Sequence, residues 1–96
     1  MQVIELSKNL DLVAAPALLE NLMRYKGQDI LVDARQVQRM GAQCFQILLS
    51  AKKTWETERY DLNLANASAD FVEAVALMGG NVEDLTYLKQ DSEKED

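Results

Sequence analysis

Residues 29–34, Asp-Ile-Leu-Val-Asp-Ala, hold a short unbroken apolar run closed by an acid. A short apolar stretch of this kind is expected of a strand covered on both faces, a situation found mainly in parallel sheets. Parallel neighbours cannot be joined by a tight turn; they need a long crossover, usually a helix. The segments on both sides of this run have helical spacing, and that combination constrains the fold more than any other feature.

Upstream, Gln2–Leu6 is apolar at Val3, Ile4 and Leu6 and predicts a strand. Asn9 and Asp11 punctuate the chain, and from Asp11 the spacing turns helical, with Leu18, Leu19, Leu22, Met23 and Tyr25 as an apolar stripe. Pro16 belongs in the first turn, where its missing N–H costs nothing, and Gly27 is a plausible stop. Downstream, a turn at 35–41 leads into a helix over about 42–58, with Cys44, Phe45, Leu48, Leu49 and Trp55 on one side and Lys52, Lys53, Glu56 and Glu58 pointing elsewhere. Residues 60–66 predict a third strand. Ser68 then caps a helix bearing Phe71, Val72, Val75, Leu77 and Met78, which Gly79-Gly80 ends. Residues 84–88 are expected as a short strand or an irregular turn. The order β-α-β-α-β-α implies right-handed crossovers and an α/β sheet with helices packed on it.

Charge separates the body from its end. The net charge is −6, yet residues 83–96 carry six acids and two lysines, leaving ten acids and eight bases for residues 1–82. The expected organisation is one domain over 1–88 and an acidic, disordered tail over 89–96. Nucleic-acid binding is disfavoured, because phosphate contacts need a basic surface. No apolar run approaches a membrane span and the N-terminus lacks a signal pattern, so the chain is expected to be cytoplasmic, without membrane insertion. A single cysteine fits a reducing compartment.

Catalytic options are few. There is no histidine, which removes Ser-His and Cys-His couples and most zinc and non-haem iron sites. A cysteine at a helix start can have a lowered pKa, but Cys44 lacks a base or resolving thiol and is expected to pack beside Phe45 and Leu48. No glycine-rich phosphate loop is present. Asp11 and Asp33 fall near strand ends, where capping or turn formation accounts for each. No enzyme activity, cofactor or metal is expected. Arg35 and Arg39 flank the loop before the second helix, where they could supply directional hydrogen bonds to a partner.

Three blocks, in order, resemble the STAS-domain family, the fold of bacterial anti-sigma factor antagonists. Residues 6–22 resemble its Gly-x-Leu-Asp turn and a helix with Ala-Pro near its start. Residues 30–51 resemble a buried strand ending in Asp, a short loop and a Leu-rich helix, and residues 62–80 a strand, an Asn-x-Ser turn and a helix with a Leu-x-Gly-like stop. The family's first strand is expected to be missing or shortened. In switchable members Asp-Ser-Ser-Gly opens the second helix, and its second serine accepts phosphate from a partner kinase. Aligned without gaps from Asp33, those positions are Gly41, Ala42, Gln43 and Cys44, while the family's acid near that site is retained as Asp11.

The resemblance thus implies a partner-binding surface without the phosphorylation, formed by Asp11, Arg35, Arg39, Met40, Gly41, Ala42 and Gln43, with Met40 projecting outward. It also implies a kinase of the GHKL ATPase fold as partner. Small stand-alone STAS proteins of alphaproteobacterial chemotaxis clusters point to a chemotaxis histidine kinase. Alternatives are an anti-sigma factor antagonist, which expects the serine that Gln43 replaces, and an accessory subunit of a lipid-transport ATPase. Since no hydroxyl side chain lies between Arg39 and Phe45, incubation with a cognate kinase and ATP should leave the second-helix start unphosphorylated. High-yield phosphate elsewhere, mapped by mass spectrometry, would contradict a non-switching protein.

Overall fold

A computed structural model describes residues 1–85. Strand β1 (Gln2–Glu5) and a two-residue strand β2 (Asn9–Leu10) lead into helix α1 (Ala15–Arg24). Strand β3 (Ile30–Asp33) is followed by a second two-residue strand, β4 (Arg39–Met40), and by helix α2 (Ala42–Thr57). Strand β5 (Leu62–Ala65), helix α3 (Ala69–Leu77) and a 3-10 turn (Val82–Leu85) complete the described chain. Three parallel strands form the main sheet in the order β1-β3-β5, with Ile4 opposite Val32 and Val32 opposite Leu64.

The α/β order expected from the sequence is present, with two additions. Asn9 and Leu10 pair in parallel with Arg39 and Met40, making a separate two-stranded ladder where only a turn was expected. Helix α1 also begins four residues after Asp11. The Asp11 carbonyl accepts from the N–H groups of Ala14 and Ala15, and its Oδ1 also accepts from Ala14 N, which turns the chain before the helix starts. Pro16 lies in the first turn as expected. Gly27 and Gly79 follow the ends of α1 and α3 with φ of +88° and +82°, the left-handed geometry that glycine adopts without strain.

Ile4, Ile30, Val32 and Leu62 face the helices and meet Leu18, Leu22, Phe45, Leu48, Trp55, Phe71 and Val75 in one core. Each such side chain, fully buried, is worth about 1.5–3 kcal/mol. Trp55 is also anchored through its indole N–H, which donates to the Gln28 carbonyl at 2.7 Å and fixes the end of α2 against the entry to β3. Coverage on both faces of β3 is only partly realised: Leu31 is half-buried and its β1 neighbour Val3 is exposed.

Other positions depart from the sequence expectation. Lys52 was expected to point away from the core but is buried, its ammonium donating to the Leu62 carbonyl at 2.7 Å with Glu56 at 3.9 Å. Its four-carbon stem fills apolar space while the charge reaches a carbonyl and a carboxylate. Leu19, Met23, Val72 and Leu77 were expected on inward faces and are exposed, because each helix buries a narrower stripe than its apolar content suggests. The region 84–88 begins in the 3-10 turn; residues 86–88 and the acidic tail lie outside the described residues.

Gly80 marks the closest approach in the core. A Cβ there would stand 2.6 Å from Phe45 Cζ and 3.3 Å from Val75 Cγ1, both on buried side chains with little room to move. Gly80→Ala should therefore destabilise the fold by about 1–3 kcal/mol, the usual cost of overpacking, seen as a lower urea midpoint at unchanged slope.

Candidate functional site

The ladder between β2 and β4 brings the Asp11 turn beside the start of α2. Gln38 and Arg39 donate backbone N–H groups to the Lys8 carbonyl at 2.8 and 3.1 Å, and Gly41 donates to Leu10 O at 2.9 Å. The Cys44 thiol lies 3.5 Å from the Asp11 carbonyl, to which it donates. Gly41 is the N-cap of α2, in extended conformation and with no side chain to satisfy the helix, and no acid occupies the first turn. The leading N–H groups of the helix consequently face outward with the positive end of its dipole.

Ala42, Gln43 and Gly41 are exposed there, as is Arg39 on the preceding strand. Asp11 is exposed beside them, one carboxylate oxygen committed to its own turn. Met40 does not join this surface. The alternation of β4 sends Arg39 out and Met40 in, so Met40 is buried in the core, which corrects the expectation that it projects outward.

Cys44 is fully buried, and its thiol pKa is raised, first by desolvation and then by the negative charge of Asp11. It packs as a small apolar side chain, as expected. Among the described residues, no three of histidine, cysteine, aspartate and glutamate gather as a metal-ligand set.

Arg35 is drawn elsewhere. Its guanidinium reaches Asp33, Nε to the two carboxylate oxygens at 3.3 and 3.2 Å and Nη2 to Oδ2 at 3.1 Å, while its backbone N–H donates to Oδ1 at 2.9 Å. Asn66, in the left-handed region at φ 54°, donates Nδ2 to Asp33 Oδ2 at 3.2 Å. This buried carboxylate joins the carboxyl ends of β3 and β5. Glu5 and Gln36 complete a shallow polar cleft of about 210 Å³ around it. The same loops are pinned by Ser68, whose hydroxyl caps α3 through Phe71 N–H at 3.0 Å and donates to the Val37 carbonyl at 2.6 Å.

A further surface was not foreseen. Leu12, Leu19 and Met23 of the first crossover lie exposed along α2, where they border a groove with Gln43 and Ile47. Helical spacing was the available signal, but it assigned Leu19 and Met23 to the core.

Comparison with known proteins gives one family. Residues 1–87 match the family described as "Mlab, STAS domain". No curated protein and no solved structure matches the chain.

The Asp33 cluster makes a pH-dependent contribution. Its pKa is lowered, chiefly by the Arg35 backbone N–H; the Arg35 and Asn66 side chains add to this, and burial opposes it. A carboxylate with a folded pKa below its unfolded value stabilises the fold above the unfolded value, about 3.9, and that contribution is lost as pH falls through the folded pKa. Asp33→Asn should therefore be less stable than wild type at neutral pH. The difference in urea midpoint should shrink as pH is lowered below about 4; a pH-independent difference would exclude the ionised carboxylate as its source.

Proposed function

The chain belongs to the STAS-domain family, and on that premise we propose that it is a non-enzymatic signalling adaptor that binds a regulatory kinase through the start of α2. STAS domains are generally binding and regulatory modules that mediate protein–protein contacts. The proposed partner is a kinase of the GHKL ATPase fold, a chemotaxis histidine kinase in the leading pathway. The observation carrying this reading is the exposed, uncapped opening of α2, where Ala42 and Gln43 offer no hydroxyl to phosphorylate.

What such a surface can do follows from its groups. The free N–H groups and the helix dipole favour a partner's carboxylate or carbonyl. Gln43 can both donate and accept, and Arg39 adds a directional cation. Asp11 borders the same face, whereas Arg35 is held at the Asp33 carboxylate. The buried Met40, Cys44 and Phe45 hold the backbone beneath it, so a partner meets a preformed surface and little ordering entropy is lost on binding.

An accessory subunit of a lipid-transport ATPase would present the same face without phosphate transfer, and the match to the Mlab-type family is the observation favouring it. Affinity capture followed by identification of the bound ATPase separates the two: a histidine kinase supports the signalling role, a transporter ATPase the second.

Gln43→Glu and Arg39→Glu should each weaken binding of the captured ATPase by about 1–3 kcal/mol, as for contacts near an interface centre. Neither should lower the stability of the free protein by more than about 0.5 kcal/mol, and an acid at position 43 complements the helix start. Calorimetric titration of both folded variants is the measurement; wild-type affinity in both would place the binding face elsewhere.

A further inference from the structure

We propose that the free edge of β1, together with the hollow between it and α1, takes an extended segment of a partner protein as a further strand. The order β1-β3-β5 leaves one side of β1 without a neighbour among the described residues. On its other side Gln2 and Leu6 donate N–H groups to the carbonyls of Asp29 and Asp33 at 3.3 and 2.9 Å. Backbone groups alternate in direction along a strand, so the N–H and C=O groups of Val3 and Glu5 point to the free side. Among the described residues only the exposed Gln2 amide reaches them, 3.4 Å from the Val3 carbonyl. Proteins usually blunt such an edge with lysine, proline or a bulge. Gln2–Glu5 has none of the three.

Beside this edge lies a hollow of about 160 Å³. Ile4, Leu6, Leu10 and Leu18 form its apolar floor, and Ala14 and Ala17 its α1 wall. The two alanines keep that wall low. An apolar cavity of about 150 Å³ admits a benzene ring, so this hollow has room for one apolar side chain. Edge and hollow together describe the occupant. Unpaired N–H and C=O groups in strand spacing call for another extended backbone, and a strand laid on β1 sends every second side chain to the helix side, over the hollow. On the opposite face its side chains lie against Val3, 47% exposed, and against Glu5, whose carboxylate none of the described ion pairs uses. Antiparallel pairing is the slightly more stable kind. The partner then reads basic, apolar, β-branched, opposite Glu5, Ile4 and Val3 in turn.

A second copy does not meet this description through the same strand. Two β1 strands paired about a two-fold axis place Gln2, Ile4 or Leu6 over the hollow. Gln2 is polar, and Ile4 and Leu6 are held in their own core, 3% and 1% exposed. Nor does Gln2–Glu5 offer Glu5 a cation in return. The occupant is therefore a segment of another protein. The hollow shares no side chain with the opening of α2, so this surface stands apart from the kinase-binding reading.

The test is an amide NMR titration of the isotope-labelled full chain with the blocked peptide acetyl-Thr-Lys-Leu-Val-Thr-amide, up to about 5 mM to cover weak association. Saturable shifts and slowed hydrogen exchange are expected at the Val3 and Glu5 amides, and not at Ala42 or Gln43. Replacing the peptide's leucine by aspartate should abolish them. Replacing its lysine by glutamate should weaken binding about two- to tenfold, and Glu5→Lys should reverse that preference. Ala17→Glu, on an exposed position of α1 and shown by circular dichroism to be folded, should lose the peptide. Glu5 is exposed as well, so its variant keeps the test open should Ala17→Glu fail to fold. Absence of saturable shifts at Val3 and Glu5, or shifts indifferent to the peptide's leucine, overturns the proposal. So do shifts at these amides that follow the chain's own concentration without peptide, the mark of a second copy on the edge. None of these outcomes bears on kinase binding, which is measured separately by titration with the captured ATPase.

Discussion

Both edges of β3 are used, each by a parallel partner, and the arrangement of the rest of the molecule follows from that. Parallel pairing excludes hairpins, so each step from strand to strand must cross over through a helix. Because the order β1-β3-β5 advances in one direction, right-handed crossovers place α1 and α2 on the same side of the sheet, where they pack together. Both helices begin at the carboxyl end of the strands. An exposed helix start at that end is thus a consequence of topology before it is a feature of any particular residue.

Topology alone would leave the opening of α2 at the end of a loose loop. Two small devices make it definite. The ladder of β2 with β4 ties the loop to the chain before α1, and Asp33 collects donors from Arg35 and Asn66 at the end of the main sheet. Both devices rest on backbone groups or a buried carboxylate, so they hold the loop from beneath without using the side chains at the opening. The result is an opening whose backbone is supported from below while its own N–H groups remain unspent. Ala42 and Gln43 bring no hydroxyl to this opening and leave those donors in place. A side chain without a hydroxyl and a helix start with open donors are compatible because they reside in different atoms.

Long elements were legible in the sequence because their periods extend over several turns or several residues. The three main strands, the three helices, the Ser68 cap and the glycine stops belong to this group. The β2–β4 ladder was not, since two residues cannot display a period of two, and the partner segment lies 30 residues away. Met40 was misplaced for the same reason: without the strand, nothing indicated that Arg39 and Met40 take opposite sides. Lys52 was missed because residue type is a poor guide when a long stem can bury itself and carry its charge to a carbonyl. Leu19 and Met23 show the reverse error, as apolar residues on a helix can serve a second face. At the site, residue identities were readable but not their directions: Arg35 was placed at the handover loop without the Asp33 carboxylate that holds it.

Gln43 stands where the two exposed features of α2 meet, the polar opening of the helix and the apolar groove along its flank. Its backbone belongs to the opening, which the hydrogen bond from Gly41 N–H to the Leu10 carbonyl ties to the chain before α1, while its side chain borders Leu19 and Ile47. A partner seated on the helix start, as proposed above, therefore reaches the groove through this one residue. Polar recognition by helix N–H groups and apolar contact along the flank meet there, at a position that carries no hydroxyl.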